Sequence, residues 1–224
     1  PIVHDVKIFD NMADENGGGI NILSSGIILD GCSIMNNTSN KGGGIYVVWG
    51  SHVIRRSNIL NNHSSQQSNG LYISTGTVEI DSCNIVNWGN SIYNNDNSTY
   101  VTAINNWFGK MSGPFHPIQN PSGLGDSTNA FVNVTPWLTA PDTDAPPISA
   151  QNVAVTGTGN DFVSLNWDSS PLGDFAGFKL YYDSDESGYP YENSVDLGSN
   201  TSHTLAGLNL GTEYFLAITV YDTD

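Results

Sequence analysis

The 224 residues carry 22 acids against 6 Lys plus Arg, a formal net charge of −16, and only 12% of positions are charged. So acidic a chain lacks the electrostatic footprint of a nucleic-acid or anionic-membrane binder, and it has no run of 18 apolar residues to span a bilayer. With 27 Asn, 25 Ser and 24 Gly, residues that favour turns, and no apolar i, i+3, i+4, i+7 pattern, helix is excluded as well.

The charge is uneven. Residues 1–140 hold 9 acids and 5 bases (−4), whereas 141–224 hold 13 acids and one base, Lys179 (−12). That shift divides the chain into two domains. The Pro1 start reads as a processed or excised piece of a longer protein, with further coils upstream.

A repeat governs the first domain. The segments 5–11, 31–37, 56–62 and 82–88 align so that Ile8, Ile34, Ile59 and Ile85 fall 26, 25 and 26 residues apart. Gly19-Ile20-Asn21-Ile22, Gly44-Ile45-Tyr46-Val47 and Gly70-Leu71-Tyr72-Ile73 keep the same step. Each unit reads as three short strands separated by Asn and Gly turns. Strands so short cannot bury their own apolar face, but stacked coils, hydrogen-bonded at roughly 4.8 Å, can.

The expected architecture is a right-handed parallel β-helix of about 25-residue coils. Its inward ladders are Val6/Cys32/Ser57/Cys83, Ile8/Ile34/Ile59/Ile85, Ile20/Ile45/Leu71, Ile22/Val47/Ile73 and Leu29/Ile54/Ile80. Asp10/Asn36/Asn61/Asn87 forms a polar ladder at a turn, where Asn tolerates left-handed backbone angles. Cys32 and Cys83 then lie two coils apart, about 9.6 Å between Cα atoms, too far for a disulfide. They are expected as buried free thiols.

The repeat fades after Trp88. Residues 100–138 form a C-terminal cap in which Trp107, Phe108, Phe115, Phe131 and Trp137 close the apolar end. The Gly-Gly-Gly-Ile and Ile-x-Asn-Asn repeats carry a resemblance, together with Asn105-Asn106-Trp107-Phe108-Gly109, Gly113-Pro114, the run Asn120 to Asp126 and Pro136-Trp137-Leu138. Over residues 1–138 the chain resembles the last coils of secreted bacterial pectin-lyase-like right-handed β-helix proteins. The resemblance implies a secreted or cell-surface location. It spans polysaccharide lyases, hydrolases, adhesins and passenger domains, so activity must be argued from the site.

Residues 139–147 form a Pro-rich, semi-extended linker. A β-sandwich follows over 148–224. Val153 and Val155 mark its first strand, Val163/Leu165/Trp167 its second, Phe178/Leu180/Tyr182 its third and Tyr214/Leu216/Ile218/Val220 its sixth. Trp167, the run Gly177 to Tyr182 and Leu208-x-x-Gly211-Thr212-x-Tyr214 resemble a fibronectin type III domain, with Tyr214 as its corner tyrosine. The chain ends after the sixth strand, so the last strand is expected to be missing and self-assembly through exposed strands is an expected partner mode.

Two outward columns of the helix are candidate sites. Tyr46, Tyr72 and Tyr93, with Trp49 nearby, form an aromatic row suited to stacking on sugar rings, against the plainer account of a stabilising cross-coil ladder. Asp30, Arg55 and Asp81, with Arg56 beside them, could act as base and oxyanion stabiliser on a polyuronate, against the plainer account of a surface charge ladder. Asp183, Asp185 and Glu186 form an acidic loop that could hold Ca²⁺ through carboxylate oxygens, though without EF-hand spacing. No other cofactor is expected. His4, His52, His63, His116 and His203 show no metal-ligand spacing, and His52 takes an apolar place in the Ile27/Val78 ladder.

These features read as a non-catalytic segment of a large secreted or surface bacterial protein. Its roles are adhesion, filament or matrix structure, or glycan binding, and its partners are an extracellular polysaccharide or a surface or matrix protein. The alternative is the C-terminal part of a polysaccharide lyase or glycoside hydrolase whose catalytic coils lie upstream or on the Asp30/Arg55/Asp81 face.

Overall fold

The computed structural model describes residues 1–23, 26–169, 175–184 and 190–222. The chain divides into two compact units, Pro1–Pro146 and Pro147–Asp224. All regular structure among the described residues is strand.

The first unit is a β-solenoid of about four turns with parallel strands stacked in three long sheets. One sheet runs through Ile2–His4, Ile28–Asp30, Ser51–Arg55, Thr77–Asp81, Val101–Ile104 and Val132–Asn133. The second contains Lys7–Phe9, Ser33–Met35, Asn58–Leu60 and Asn84–Val86. The third contains Ile20–Ile22, Ile45–Val47, Leu71–Ile73 and Asn90–Asn94, then Gly125–Thr128 and Pro114–Phe115 from the cap. A short pair, Thr38–Lys41 with His63–Gln67, fills the remaining corner.

The strand registers align like residues. Ile8, Ile34, Ile59 and Ile85 pair in sequence, Ile20, Ile45 and Leu71 continue to Ile92, and Leu29, Ile54 and Ile80 continue to Ala103. These ladders form one core, in which each fully buried Ile or Leu contributes roughly 1.5–3 kcal/mol. Val6, expected in the Cys ladder, is 39% exposed because it sits in the outermost described coil, with a stacked neighbour on one side only. Cys32 and Cys83 are buried free thiols, and burial pushes the Cys83 thiol far up.

The asparagine ladder is shifted by one residue from its expected place. The stacked side chains are Asn11, Asn37, Asn62 and Asn87, the last three fully buried. Asp10, Asn36 and Asn61 instead supply the left-handed backbone just before them, at φ 57°, 56° and 55°. The fourth coil lacks that extra residue, so Asn87 aligns with Asn62 and not with Asn61. The carboxamide oxygens of Asn37, Asn62 and Asn87 each accept from the backbone N–H and the Nδ2 of the previous coil's Asn, at 3.0–3.1 Å. The Nδ2 of each also reaches the backbone carbonyl of Ile8, Ile34 or Ile59.

Coil stacking is tight enough at one corner to demand glycine. A Cβ on Gly18 would stand 2.4 Å from the Gly43 carbonyl oxygen, and one on Gly43 would stand 2.3 Å from that of His63.

In the cap, Phe108 is fully buried and Trp137 packs on the core, while Phe115, expected to close the end, is 43% exposed. The segment read as a linker is held down. Asn84 exchanges two hydrogen bonds with the Asp142 backbone, at 2.8 and 3.1 Å, and Asn58 Nδ2 donates to the Pro146 carbonyl. Ala145 between them is 1% exposed.

The second unit is a β-sandwich of two three-stranded antiparallel sheets. Ala154–Thr158, Phe162–Asn166 and Ser202–Ala206 make one; Asn193–Gly198, Phe175–Asp183 and Phe215–Asp222 make the other. Leu165, Trp167, Phe178, Leu180, Leu197 and Leu205 form its core, with Trp167 edge-on to Phe178 at 5.5 Å. Tyr214 accepts the Asn209 amide at 3.1 Å, the bond expected of a corner tyrosine. Val153 and Val155 are 49% and 60% exposed and leave the core to the other strands.

Both thiols are expected to resist a soluble thiol reagent at pH 8 in the native protein and to react fully after denaturation. A thiol that reacts readily in the native protein, or fewer than two reacting in the unfolded chain, would contradict the stacking.

Candidate functional site

Asp30, Arg55 and Asp81 occupy one cross-coil position at the end of the first sheet. The chain turns immediately after it through left-handed residues: Asp5, Gly31, Arg56, Ser82 and Asn105, at φ 46–63°. That turn swings Arg56 back over the column. Asp30, only 3% exposed, accepts Arg55 Nη2 at 2.9 Å, Arg56 Nε at 2.9 Å and Arg56 Nη2 at 2.7 and 2.6 Å. The Arg56 bonds, foremost, hold its carboxyl below the usual carboxylate range, and Asp30 in turn raises the Arg56 guanidinium. Asp81 is engaged elsewhere, by Asn105 Nδ2 at 2.8 Å and Ser82 Oγ at 3.1 Å.

The structure thus brings Asp30 together with Arg55 and Arg56 and directs Asp81 to Asn105. A carboxylate saturated by two guanidinium groups is a poor proton acceptor, because protonation must first break charge-assisted bonds. Arg55 gives the clamp one Nη2 donor and Arg56 its Nε and Nη2, and both arginine side chains stay nearly half exposed.

The tyrosines form a continuous stack. Tyr46 and Tyr72 pair in register with centroids 5.3 Å apart and planes 1° from parallel; Tyr72 and Tyr93 follow at 5.7 Å and 12°. Tyr72 is 4% exposed, and burial raises its phenol pKa. Lys41 Nζ lies 5.5 Å from its ring centroid. The central ring therefore spends both faces on its neighbours, and the row presents mainly rims outward. Trp49 is 61% exposed and stands outside the stack; its carbonyl contacts His52 Nε2 at 2.6 Å. His52 is buried opposite Val78, with its Nδ1 accepting the Ile27 amide.

Of the Ca²⁺ candidates, Asp183 is buried at the end of the Phe175–Asp183 strand, and Asp185, like Glu186, lies outside the described residues. Among the described residues there is no cluster of three or more metal-ligating side chains and no helix long and apolar enough to cross a membrane.

Three groups escaped the sequence reading. Asp126, from the cap, accepts the Asn87 backbone amide, the Gly89 amide and the Ser91 hydroxyl, ending the ladder on a carboxylate. Asn58 and Asn84 hold residues 142–146. On the sandwich, Lys179, Tyr181, Asp196, Thr219 and Tyr221 surround a surface hollow of about 330 Å³. Strand alternation alone signals that Lys179 and Tyr181 share a face; their partners depend on cross-strand register.

No family model and no curated protein matches the chain. Among solved structures, a computationally redesigned β-sandwich protein is 24% identical, with TM-score 0.31, covering 34% of this chain and 77% of its own. The fn3 domain of human contactin 1 is 19% identical, with TM-score 0.32, covering 35% and 66%. The chicken CNTN1 FN1–FN3 domains are 17% identical, with TM-score 0.32, covering 45% and 34%. The class defined by the strands themselves is a β-solenoid joined to a β-sandwich.

Because the folded pKa of Asp30 is depressed, its pairing stabilises the fold above about pH 4 and is lost as pH falls through the folded value. Asp30→Asn is expected to cost about 2 kcal/mol at neutral pH and to flatten the acid limb of melting temperature against pH. An unchanged acid limb would contradict the clamp.

Proposed function

We propose that the chain is a non-catalytic segment of a secreted or cell-surface bacterial protein, acting in adhesion, extracellular filament or matrix structure, or glycan binding. In this reading the solenoid is a right-handed, pectin-lyase-like β-helix of about 25-residue coils, and the sandwich is a fibronectin type III spacer. The observation that carries it is the Asp30 clamp: the buried carboxylate of the column best suited to acid–base chemistry is held by two guanidinium groups. Ladders of satisfied side chains give a stiff rod with little need of charge. Trp49, with the outward rims of the Tyr46/Tyr72/Tyr93 stack beside it, supplies aromatic surface for a polysaccharide or a matrix protein.

The test is incubation of the chain with acidic and neutral polysaccharides, reading unsaturated uronate products and new reducing ends. No product is expected, and Arg55→Ala is expected to lower the melting temperature. Product formation that disappears in an Arg55→Ala variant of unchanged melting temperature would overturn the proposal in favour of a lyase or hydrolase.

A further inference from the structure

The sandwich sheet around Phe175–Asp183 has two faces of different character. Phe178 and Leu180 point into the core, while Lys179 and Tyr181 point outward into the hollow. Register sets Lys179 opposite Asp196 on one neighbouring strand and opposite Thr219 on the other, a polar row across three strands. Tyr181 is opposite Ser194 and Ala217, and Tyr221 is opposite Gly177. Each tyrosine therefore has small neighbours in its own row.

Gly177 decides where the Tyr221 ring lies. A Cβ at that position would stand 2.4 Å from the Tyr221 hydroxyl oxygen, 2.6 Å from Cζ and 2.9 Å from Cε1. The ring lies across the glycine, and its hydroxyl continues over the sheet to donate to Asp196 Oδ1 at 2.9 Å. The Gly198 amide donates to the same oxygen at 2.9 Å. Lys179 Nζ sits 5.2 Å from the Tyr181 ring centroid. An aromatic ring anchored at both ends thus borders a carboxylate acceptor, an ammonium donor and a hydroxyl.

We propose that this hollow binds a pyranose residue of a neutral polysaccharide, with Tyr221 as the stacking face and Asp196, Lys179 and Thr219 as its polar contacts. A sugar ring has an apolar C–H face and a rim of hydroxyls that both donate and accept, and the site offers both kinds of surface side by side. The volume of about 330 Å³ lies at the small end of ligand sites, sized for one or two rings. Charge selects a neutral ligand: Lys179 is the one base among the 13 acids of residues 141–224, so a polyuronate meets a repelling surface. The site shares no residue with the Tyr46/Tyr72/Tyr93 column and stands whether or not that column binds sugar.

The experiment is calorimetric titration of the whole chain with cello-, xylo- and manno-oligosaccharides and with oligogalacturonides. At least one neutral series is expected to bind, and more tightly than the oligogalacturonides. Tyr221→Ala is expected to weaken binding about tenfold, and so is Gly177→Ala, which keeps every lining side chain but displaces the ring. Lys179→Ala, an outward change that leaves the core intact, is expected to weaken binding without lowering the melting temperature, and Tyr46→Ala/Tyr72→Ala to leave it unchanged. Absence of neutral-sugar binding, a preference for oligogalacturonides, or binding indifferent to both Tyr221→Ala and Lys179→Ala would overturn the proposal.

Discussion

The solenoid depends on satisfying backbone amides where the chain bends inward. At that bend a coil cannot pair through strand hydrogen bonds, and an orphaned buried N–H costs about 1–3 kcal/mol. The side chains of Asn37, Asn62 and Asn87 meet this need repeatedly, each accepting the preceding coil's amide and donating to a strand carbonyl. The series stops at Asp126, whose carboxylate accepts the Asn87 backbone amide directly and the Ser91 hydroxyl that receives the Asn87 Nδ2. Because the ladder fixes one residue per coil, it fixes the register of every other column.

A second inward ladder works alike on a smaller scale. Cys32 donates its amide to Ser57 Oγ at 3.0 Å, and Cys83 donates its amide to Asn106 Oδ1 at 2.9 Å. Small polar or thiol side chains, Cys32, Ser57 and Cys83, follow directly on the left-handed residues Gly31, Arg56 and Ser82. The same bend lifts Arg56 onto Asp30. The charge clamp is thus a product of backbone geometry.

The fold was legible where the sequence repeats. A fixed period names ladder members without any structure, and the isoleucine columns needed only the pattern. The asparagine column was misplaced by one residue because each coil carries two adjacent polar positions, and the fourth drops one at the turn. Arg56 was read as a bystander because its role needs a positive φ, which its residue type does not announce. Residues 139–147 look like a linker by composition, and their capture is written in Asn58 and Asn84, far back in the chain. The sandwich hollow was invisible for a related reason. Lys179, Asp196 and Thr219 become one row only through strand pairing, and Tyr221 is placed by the missing side chain of Gly177.

Native-state amide hydrogen exchange tests the ladder most directly. The Asn37, Asn62 and Asn87 amides lie at turns, where exchange is ordinarily fast, yet the first two are accepted by buried asparagine side chains and the third by the half-buried carboxylate of Asp126. They are expected to exchange as slowly as the Ile34, Ile59 and Ile85 strand amides, through the same opening event. Exchange of these three at rates typical of exposed turns, with the strand amides still protected, would contradict the account.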